Sequence, residues 1–352
     1  MQLTATDIGL FVVFLAVLVG PFSIKIVERN LEAFLFVMGV LAVTIARAWE
    51  FKLVEEALKE PIVKGIVPAV LIAGLVFHYG RGPIRRAMDW ILSKIPLKSV
   101  IFGIVVLLGL GSSVITAIIA ALLLVELVNI LPLERAARIN VVIIACFSIG
   151  LGAVLTPLGE PLSTIAITKL QGSPYYASFF FLFDKLAWYI IPGILAMGVL
   201  SLFFTGRKRA EKHISAEQSE TLKDVGIRGF KVYLFVMALI LLGGGMKVVI
   251  DKYFSAVSSK VLFWVNMVSA ILDNATLTAA EIAPSLHIDQ ITAALMGLLI
   301  SGGMLIPGNI PNIISANKLS ITSKEWAVLG VPLGLVTMLL YFVWLFYLPL
   351  RP

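Results

Sequence analysis

Two carboxylates stand where an ionisable group is costly. Asp273, in Leu272-Asp273-Asn274-Ala275-Thr276-Leu277-Thr278, and Glu160, in Thr156-Pro157-Leu158-Gly159-Glu160-Pro161, each interrupt a long apolar run. A carboxylate at membrane depth marks a functional position by default, because its charge must be compensated there. Desolvation favours the protonated form and a bound Na⁺ the ionised form, so H⁺ and Na⁺ compete for one group, which is the minimum that exchange requires. Neutral oxygen donors surround the pair: Ser112, Ser113, Thr116, Thr156, Ser163, Asn274, Thr276, Thr278, Asn309 and Asn312. Hard cations take such ligands, and a Na⁺ site made by Asp273, Asn274, Thr156 and Asn309 is the expectation. Any single Ser or Thr more often bonds a neighbouring helix carbonyl, so the group carries the reading and not each member. A plainer role stays open for Asp273, as the N-cap of the helix that follows it.

Other chemistries lack their residues. The sequence has no phosphate-binding P-loop, no GxSxG and no paired His for metal-assisted hydrolysis, so an enzyme and an ATP-driven pump on this chain are not expected. His78, His213 and His287 share no metal-ligand spacing, and Cys146 is the only cysteine, which excludes an intramolecular disulfide. No cofactor is expected beyond Na⁺ and H⁺ as transported or coupling ions. Glu126, Asp184, Lys185, Lys247 and Glu281 also lie in apolar runs, but nearer their ends, where long side chains reach the interface. Phe179, Phe180, Phe181, Trp188 and Tyr189 read as lipid-facing or interfacial aromatics.

The elements that must position these groups are set by composition. Of 352 residues 59% are apolar and 14% charged, with a mean hydropathy of +1.00. A soluble surface needs about 25% charged residues, so a soluble enzyme, a nucleic-acid-binding domain and a disordered chain are excluded and the partner is the lipid bilayer. The net charge of +7 sits mostly in a few loops, as expected for helix ends facing anionic lipid. Residues 1–6 lack the basic start and small-residue cleavage site of a signal peptide, and the first apolar run is expected to be a retained helix.

An all-α polytopic membrane protein follows, with about eight crossings plus two hairpins. A helix needs about 20 apolar residues to cross. Residues 7–24, 31–47, 61–79, 177–204, 229–250 and 325–349 meet this, and 137–170 and 288–319 read as crossing helices broken in mid-membrane by Pro and Gly. Residues 98–131 and 259–287 each read as an apolar arm of about 13 residues, a polar tip (111–116 and 273–278) and a second arm. Such first arms are too short to cross, and a re-entrant hairpin is expected, its non-helical tip buried in protein. The organisation is then a framework at 1–80, a first repeat at 81–204, a loop at 205–228 and a second repeat at 229–352. Segment 82–95 reads as an interfacial amphipathic helix. With the hairpins opening to opposite sides, the loops 24–30, 81–98, 131–138, 205–228 and 318–325 hold 17 Lys and Arg, against 6 on the other side. The positive-inside rule makes the first set cytoplasmic and the termini external.

The two halves repeat. Gly159–Leu170 aligns without gaps on Gly308–Leu319, and the tips are aligned with Thr116-Ala117 on Thr278-Ala279 and Ser112 on Asn274. Pro192 falls on Pro332 in the next helix of each half. Each half runs hairpin, broken helix, crossing helix, and the topology places the halves in opposite orientation. Inverted repeats with discontinuous helices are the architecture of secondary transporters, with sites at the interruptions. Glu160 aligns with the neutral Asn309, which leaves a structural role open for it.

These residues also carry a family resemblance. Gly302-Gly303-Met304-Leu305-Ile306-Pro307-Gly308-Asn309-Ile310-Pro311-Asn312 resembles the glycine-glycine, Thr-Pro-Ile-Gly, Pro-Asn signature of the ion transporter superfamily. That group includes sodium/proton antiporters, arsenite permeases and sodium-coupled dicarboxylate and citrate carriers (divalent anion:sodium symporters). Leu272–Thr278 is similar to the Asp-Asn hairpin tip of its antiporter and arsenite branches. The resemblance covers roughly 98–204 and 259–349. The chain departs from the carboxylate carriers: neither tip has their Ser-Asn-Thr, tip one has no Asn, and only one crossing helix precedes the second hairpin. The resemblance implies an elevator-like mechanism, a homodimer formed through the helices at 7–79 and 229–250, and a prokaryotic cytoplasmic membrane. The leading expectation is a sodium/proton antiporter or related cation carrier. A sodium-coupled symporter of a small oxyanion or carboxylate is the alternative, and a channel or receptor on the same fold is the third reading.

Overall fold

The structure, a computed structural model, describes residues 4–63, 67–68, 71–72, 75, 86, 90–204, 222–253, 258–272 and 274–348. Among these residues every regular element is helical. The first group comprises α1 (Ala5–Ser23), α2 (Lys25–Arg29), α3 (Leu31–Ala46) and α4 (Phe51–Val63). A second follows as α5 (Leu97–Ile115), α6 (Ala117–Ile130), α7 (Arg135–Ala153), α8 (Pro161–Leu170) and α9 (Phe181–Ser201). Then come the long α10 (Leu222–Tyr253) and a third group: α11 (Ser259–Val265), continued by a 3₁₀ turn at Asn266–Ala270, α12 (Asn274–Glu281), α13 (Ile288–Gly302), α14 (Ile310–Leu319) and α15 (Ser323–Tyr347).

Helix starts are specified locally. Thr4 and Asp7 form a reciprocal capping box at α1, with the Asp7 N–H donating to Thr4 Oγ1 at 3.2 Å and the Thr4 N–H to Asp7 Oδ2 at 2.8 Å. Thr322 and Glu325 do the same for α15. Among the described residues five helices are long and apolar enough to cross a membrane: α5, α7, α9, the 229–249 part of α10, and α15. In hydrocarbon a helix satisfies its own backbone, which is why these runs adopt this form. Their burial differs: 83% of the α7 window is buried against 39% of that in α15, so α7 is the central helix and α15 a peripheral one. Val328, Val336 and Leu340 on α15 and Leu107 on α5 are exposed, an apolar surface that water would not tolerate and lipid does. The architecture is that of a helical membrane protein.

Packing defines three clusters. α10 lies along α3 and also against α4, and α1 packs on α3. In the second group α5 packs on α7 and α9, and α7 on α9; in the third α11 packs on α13 and α15, and α13 on α15. The second and third groups interlock, because α6 lies against α14 while α12 lies against α8.

Several expectations are corrected. The first arm of hairpin one is not 13 residues but the 19-residue α5, about 28 Å long, which is enough to cross. Residues 111–115 belong to that helix, and only Thr116 separates it from α6, so the polar tip is one residue wide. The tip alignment also moves: Thr116 and Ala117 fall at the start of α6, whereas Thr278 and Ala279 lie inside α12. Between the apolar runs 31–47 and 61–79 lies a further helix, α4, which begins at Phe51, and α10 begins at Leu222, so that the last seven residues of the expected loop 205–228 are helical. Phe181 and Tyr189 are buried in the core and only Phe179, Phe180 and Trp188 of that aromatic set are exposed. Glu126 does not reach the interface; it is buried in an ion pair with Lys318. The expected span at 61–79, the amphipathic segment 82–95 and the loop 205–228 lie largely outside the described residues.

Candidate functional site

Both expected helix breaks are present, and they match in detail. α7 gives way after Ala153 to Val154 at φ −72°, ψ −19°, and α13 after Gly302 to Gly303 at φ −74°, ψ −19°. Seven residues on, Glu160 at φ −157°, ψ 161° precedes α8, and Asn309 at φ −153°, ψ 146° precedes α14. α8 and α14 each have ten residues. Proline starts both: Pro161 is the first residue of α8 and Pro311 the second of α14, where the missing N–H costs nothing.

Side chains and glycines hold the freed backbone. At the first break Gly159 cannot be replaced without a shift, since a Cβ there would sit 1.9 Å from the Ala153 oxygen. Its own carbonyl accepts the Ala117 N–H at 2.8 Å, which ties the start of α6 to the break. Thr156 donates to the Ser113 carbonyl and accepts the Leu158 N–H at 3.2 Å. At the second break a Cβ on Gly308 would meet the carbonyl oxygens of Gly302 at 2.5 Å, Ser269 at 2.8 Å and Ala270 at 3.0 Å. Asn312 Nδ2 donates to Gly302 O at 2.8 Å and Leu305 O at 2.9 Å, and Trp326 Nε1 donates to Gly303 O at 3.1 Å. Non-helical backbone at depth persists where partners of this kind satisfy it.

A cavity of about 310 Å³ opens at the first break, lined by Thr116, Pro157, Gly159, Glu160, Thr164 and Asn309 with Ala117, Ile118, Leu158, Pro161, Ile165 and Ile310. The starts of α6, α8 and α14 meet there. Glu160 and Asn309 are both buried, while Leu158 and Thr164 are exposed at its edge. Among the described residues no lining side chain is basic. Thr116 has φ 74°, ψ 149°, a conformation rare for a β-branched residue and worth about 1–3 kcal/mol of strain, of the kind that clusters at functional sites. Its Oγ1 accepts the Ile119 N–H at 3.3 Å, capping α6. Thr164 Oγ1 donates to Pro157 O at 2.6 Å, so the Glu160 carboxylate and the Asn309 amide are the main polar groups of an otherwise apolar pocket, a set that suits a proton or a small hard cation.

Of the expected site residues, the structure brings Thr116, Glu160 and Asn309 to this cavity. Thr156 lies behind it on Ser113. Ser112 donates to Gly109 O at 2.7 Å and Ile149 O at 3.0 Å, Ser113 to Leu110 O at 2.8 Å and Ser163 to Glu160 O at 2.7 Å, so these three are spent on helix carbonyls. Asn274 belongs to the second break, where its Oδ1 accepts from Ser269 Oγ, and Thr278 donates to Asn274 O at 2.8 Å. Asn312 is there too. Asn274 and Asn309 therefore do not share the cavity expected of the four-residue Na⁺ set. Asp273 and the Thr276 side chain lie outside the described residues. Among the described residues no group of three His, Cys, Asp or Glu is arranged for a metal ion.

Residues not foreseen take part. Thr164 is one helical turn after Glu160, and that i, i+4 spacing is the signal that would have found it. Ser269, Asn266 and Ser301, all buried around the second break, come together only through α11 and α13.

No curated protein matches this chain. One family model does, over residues 7–348, and that is nearly the whole sequence. The chain therefore belongs to the family described as protein of unknown function DUF1646.

Proposed function

We propose that this protein is a secondary active transporter, and that it exchanges a small cation, Na⁺ foremost, for protons. The observation that carries the reading is the cavity at the first break, where the Glu160 carboxylate meets Asn309 and Thr116 among largely apolar walls, with no basic side chain among the described lining residues. The converging starts of α6, α8 and α14 would favour an anion. Against that, Pro161 and Pro311 remove an N–H from two of those starts, Ala117 N–H is committed to Gly159, and Glu160 already occupies the positive end of α8. The cation reading is therefore preferred to a sodium-coupled anion symporter.

The inverted-repeat reading is supported by the helix bounds. Residues 153, 161 and 170 correspond to 302, 310 and 319, a constant offset of 149, and the residues flanking both breaks share their dihedrals. The crossed packing of α6 on α14 and α12 on α8 is what a two-fold relation between halves produces. On this reading α5–α6 and α11–α12 are the re-entrant hairpins, α5 being so placed by the repeat relation although its length would allow it to cross, within about eight crossings. The similarity to the ion transporter superfamily belongs to the same proposal. So do an elevator-like movement against α1, α3 and α10, a homodimer through those helices, and a prokaryotic cytoplasmic membrane.

Reconstitution in proteoliposomes tests it. A Na⁺, Li⁺ or K⁺ gradient should drive a pH change that Glu160→Gln abolishes while the variant stays monodisperse. Asp273→Asn, at the position before α12, should do the same if both interruptions take part. Anion uptake with Na⁺, or flux without coupling, would replace the antiport reading, as would parental exchange in Glu160→Gln.

A further inference from the structure

Glu281, partly buried, and the fully buried Asn266 form a second polar pair, away from the cavity, whose shielded atoms do not balance with an ionised carboxylate. Asn266 sits at the junction of α11 and the 3₁₀ turn and is fully buried. Its Nδ2 donates to Glu281 Oε2 at 2.9 Å and to the Ala294 carbonyl at 3.0 Å. Both amide hydrogens are thus committed, and turning the amide over would point Oδ1 at a carbonyl oxygen, so its orientation is set. That leaves Asn266 Oδ1 and Glu281 Oε1, both shut off from solvent and both without a hydrogen-bond partner. Two acceptors of one bonded pair are left with no donor between them. An unmet buried acceptor is destabilising, and the more so when it is charged.

The fold treats its other buried hairpin carboxylate differently. Glu126, on α6, is neutralised by the Lys318 ammonium from α14, both side chains being buried. The elements packed against α12 are α8, α10 and α13. Their charged side chains, among the described residues, are Lys169 on α8, Lys223, Lys231, Lys247 and Lys252 on α10, and Asp289 on α13; α10 also carries Asp224, Arg228 and Asp251, whose side chains lie outside the described residues. Lys231 pairs with Glu32, Lys252 with Asp7 and Asp289 with His287, and none of the six bonds Glu281. No fixed cation compensates this carboxylate among the described residues.

We propose that Glu281 is a proton-binding site whose neutral form is matched by Asn266. One proton taken from solvent onto Oε1 turns the carboxylate into a carboxylic acid. Its O–H donates to Asn266 Oδ1 while Asn266 Nδ2 keeps donating to Oε2. This is a reciprocal acid–amide pair, closed by two hydrogen bonds, and it satisfies both orphaned oxygens at once. A dehydrated Na⁺ would need several more oxygens than these two. The assignment does not depend on what the protein transports.

Infrared difference spectroscopy of the purified protein in lipid, recorded on stepping the pH, tests it. A protonated-carboxyl C=O band should be present at neutral pH, vanish on alkalinisation, and be absent from Glu281→Gln. It should persist in Glu160→Gln, which separates this site from the transport cavity. The glutamine variant should fold, since its amide can both donate to Oδ1 and accept from Nδ2. Asn266→Leu is the second probe: the band should move to the position of a less hydrogen-bonded acid and titrate at a different pH. A full parental band in Glu281→Gln, or an unmoved band and unchanged titration in Asn266→Leu, would overturn the proposal.

Discussion

Replacing Lys318 by methionine isolates the energetic role of one buried ion pair. Lys318 Nζ contacts Glu126 Oε1, and the two side chains are 4% and 8% exposed, so neither charge is solvated by water. Methionine keeps most of the lysine stem and its packing but removes the ammonium, leaving Glu126 ionised in a low-dielectric site. Breaking a buried pair from one side costs about 3–5 kcal/mol, whereas replacing both partners by apolar groups of similar size is often near neutral. Lys318→Met alone should therefore be the less stable protein, and the Glu126→Leu/Lys318→Met double variant should recover most of the loss. Equilibrium unfolding in mixed detergent micelles, followed by the near-ultraviolet signal of Trp326 and its neighbours, measures both. Equal loss in the single and double variants would refute the reasoning, because it would mean that packing of the stems and not the unpaired charge carries the cost. The pair also joins α6 to α14, a contact between the second and third helix groups, so the single variant should loosen that contact first.

Glycines in adjacent helices should respond oppositely. A Cβ at Gly152 on α7 would stand 1.7 Å from the Gly109 carbonyl oxygen, so Gly152→Ala should cost at least about 1–3 kcal/mol through forced separation of α5 and α7. Gly111 on α5 has nothing within 4 Å of such a Cβ, and Gly111→Ala should gain about 0.5–1 kcal/mol from helix propensity. The same unfolding titration reads both, and a destabilised Gly111→Ala would show that this face of α5 is covered. Topology is tested by cysteine accessibility: with Cys146 buried as a silent background, single cysteines at the exposed Ser93 and Ser173 should label from opposite sides of the membrane. Labelling of both from one side would remove the inverted arrangement.

Helix placement was legible because bilayer physics writes it into composition. Apolar runs near 20 residues mark α9, α10 and α15, and the Pro-Gly clusters at 156–161 and 307–311 mark the two breaks to within a few residues. Hairpin one was misjudged for a definite reason. Gly111, Ser112 and Ser113 look like a polar tip, yet the two serines return their hydroxyls to helix carbonyls and the helix continues through them. Likewise Lys52, Glu55, Glu56 and Lys59 interrupt the apolar sequence, yet they form i, i+4 pairs on an amphipathic α4.

What the chain order carried was therefore local: which segments are helices, where proline and glycine interrupt them, and that Glu160 and Asn309 occupy matching positions 149 residues apart. Partnership between distant residues was not there to be read. Whether Glu126 is solvated or neutralised depends on α14 crossing α6, and whether Glu281 meets a lysine or an amide depends on how α11 and α13 close around α12. The reason is physical: a buried charge is defined by what compensates it, and compensation here comes from helices tens to hundreds of residues away, brought into contact only when the two halves interlock.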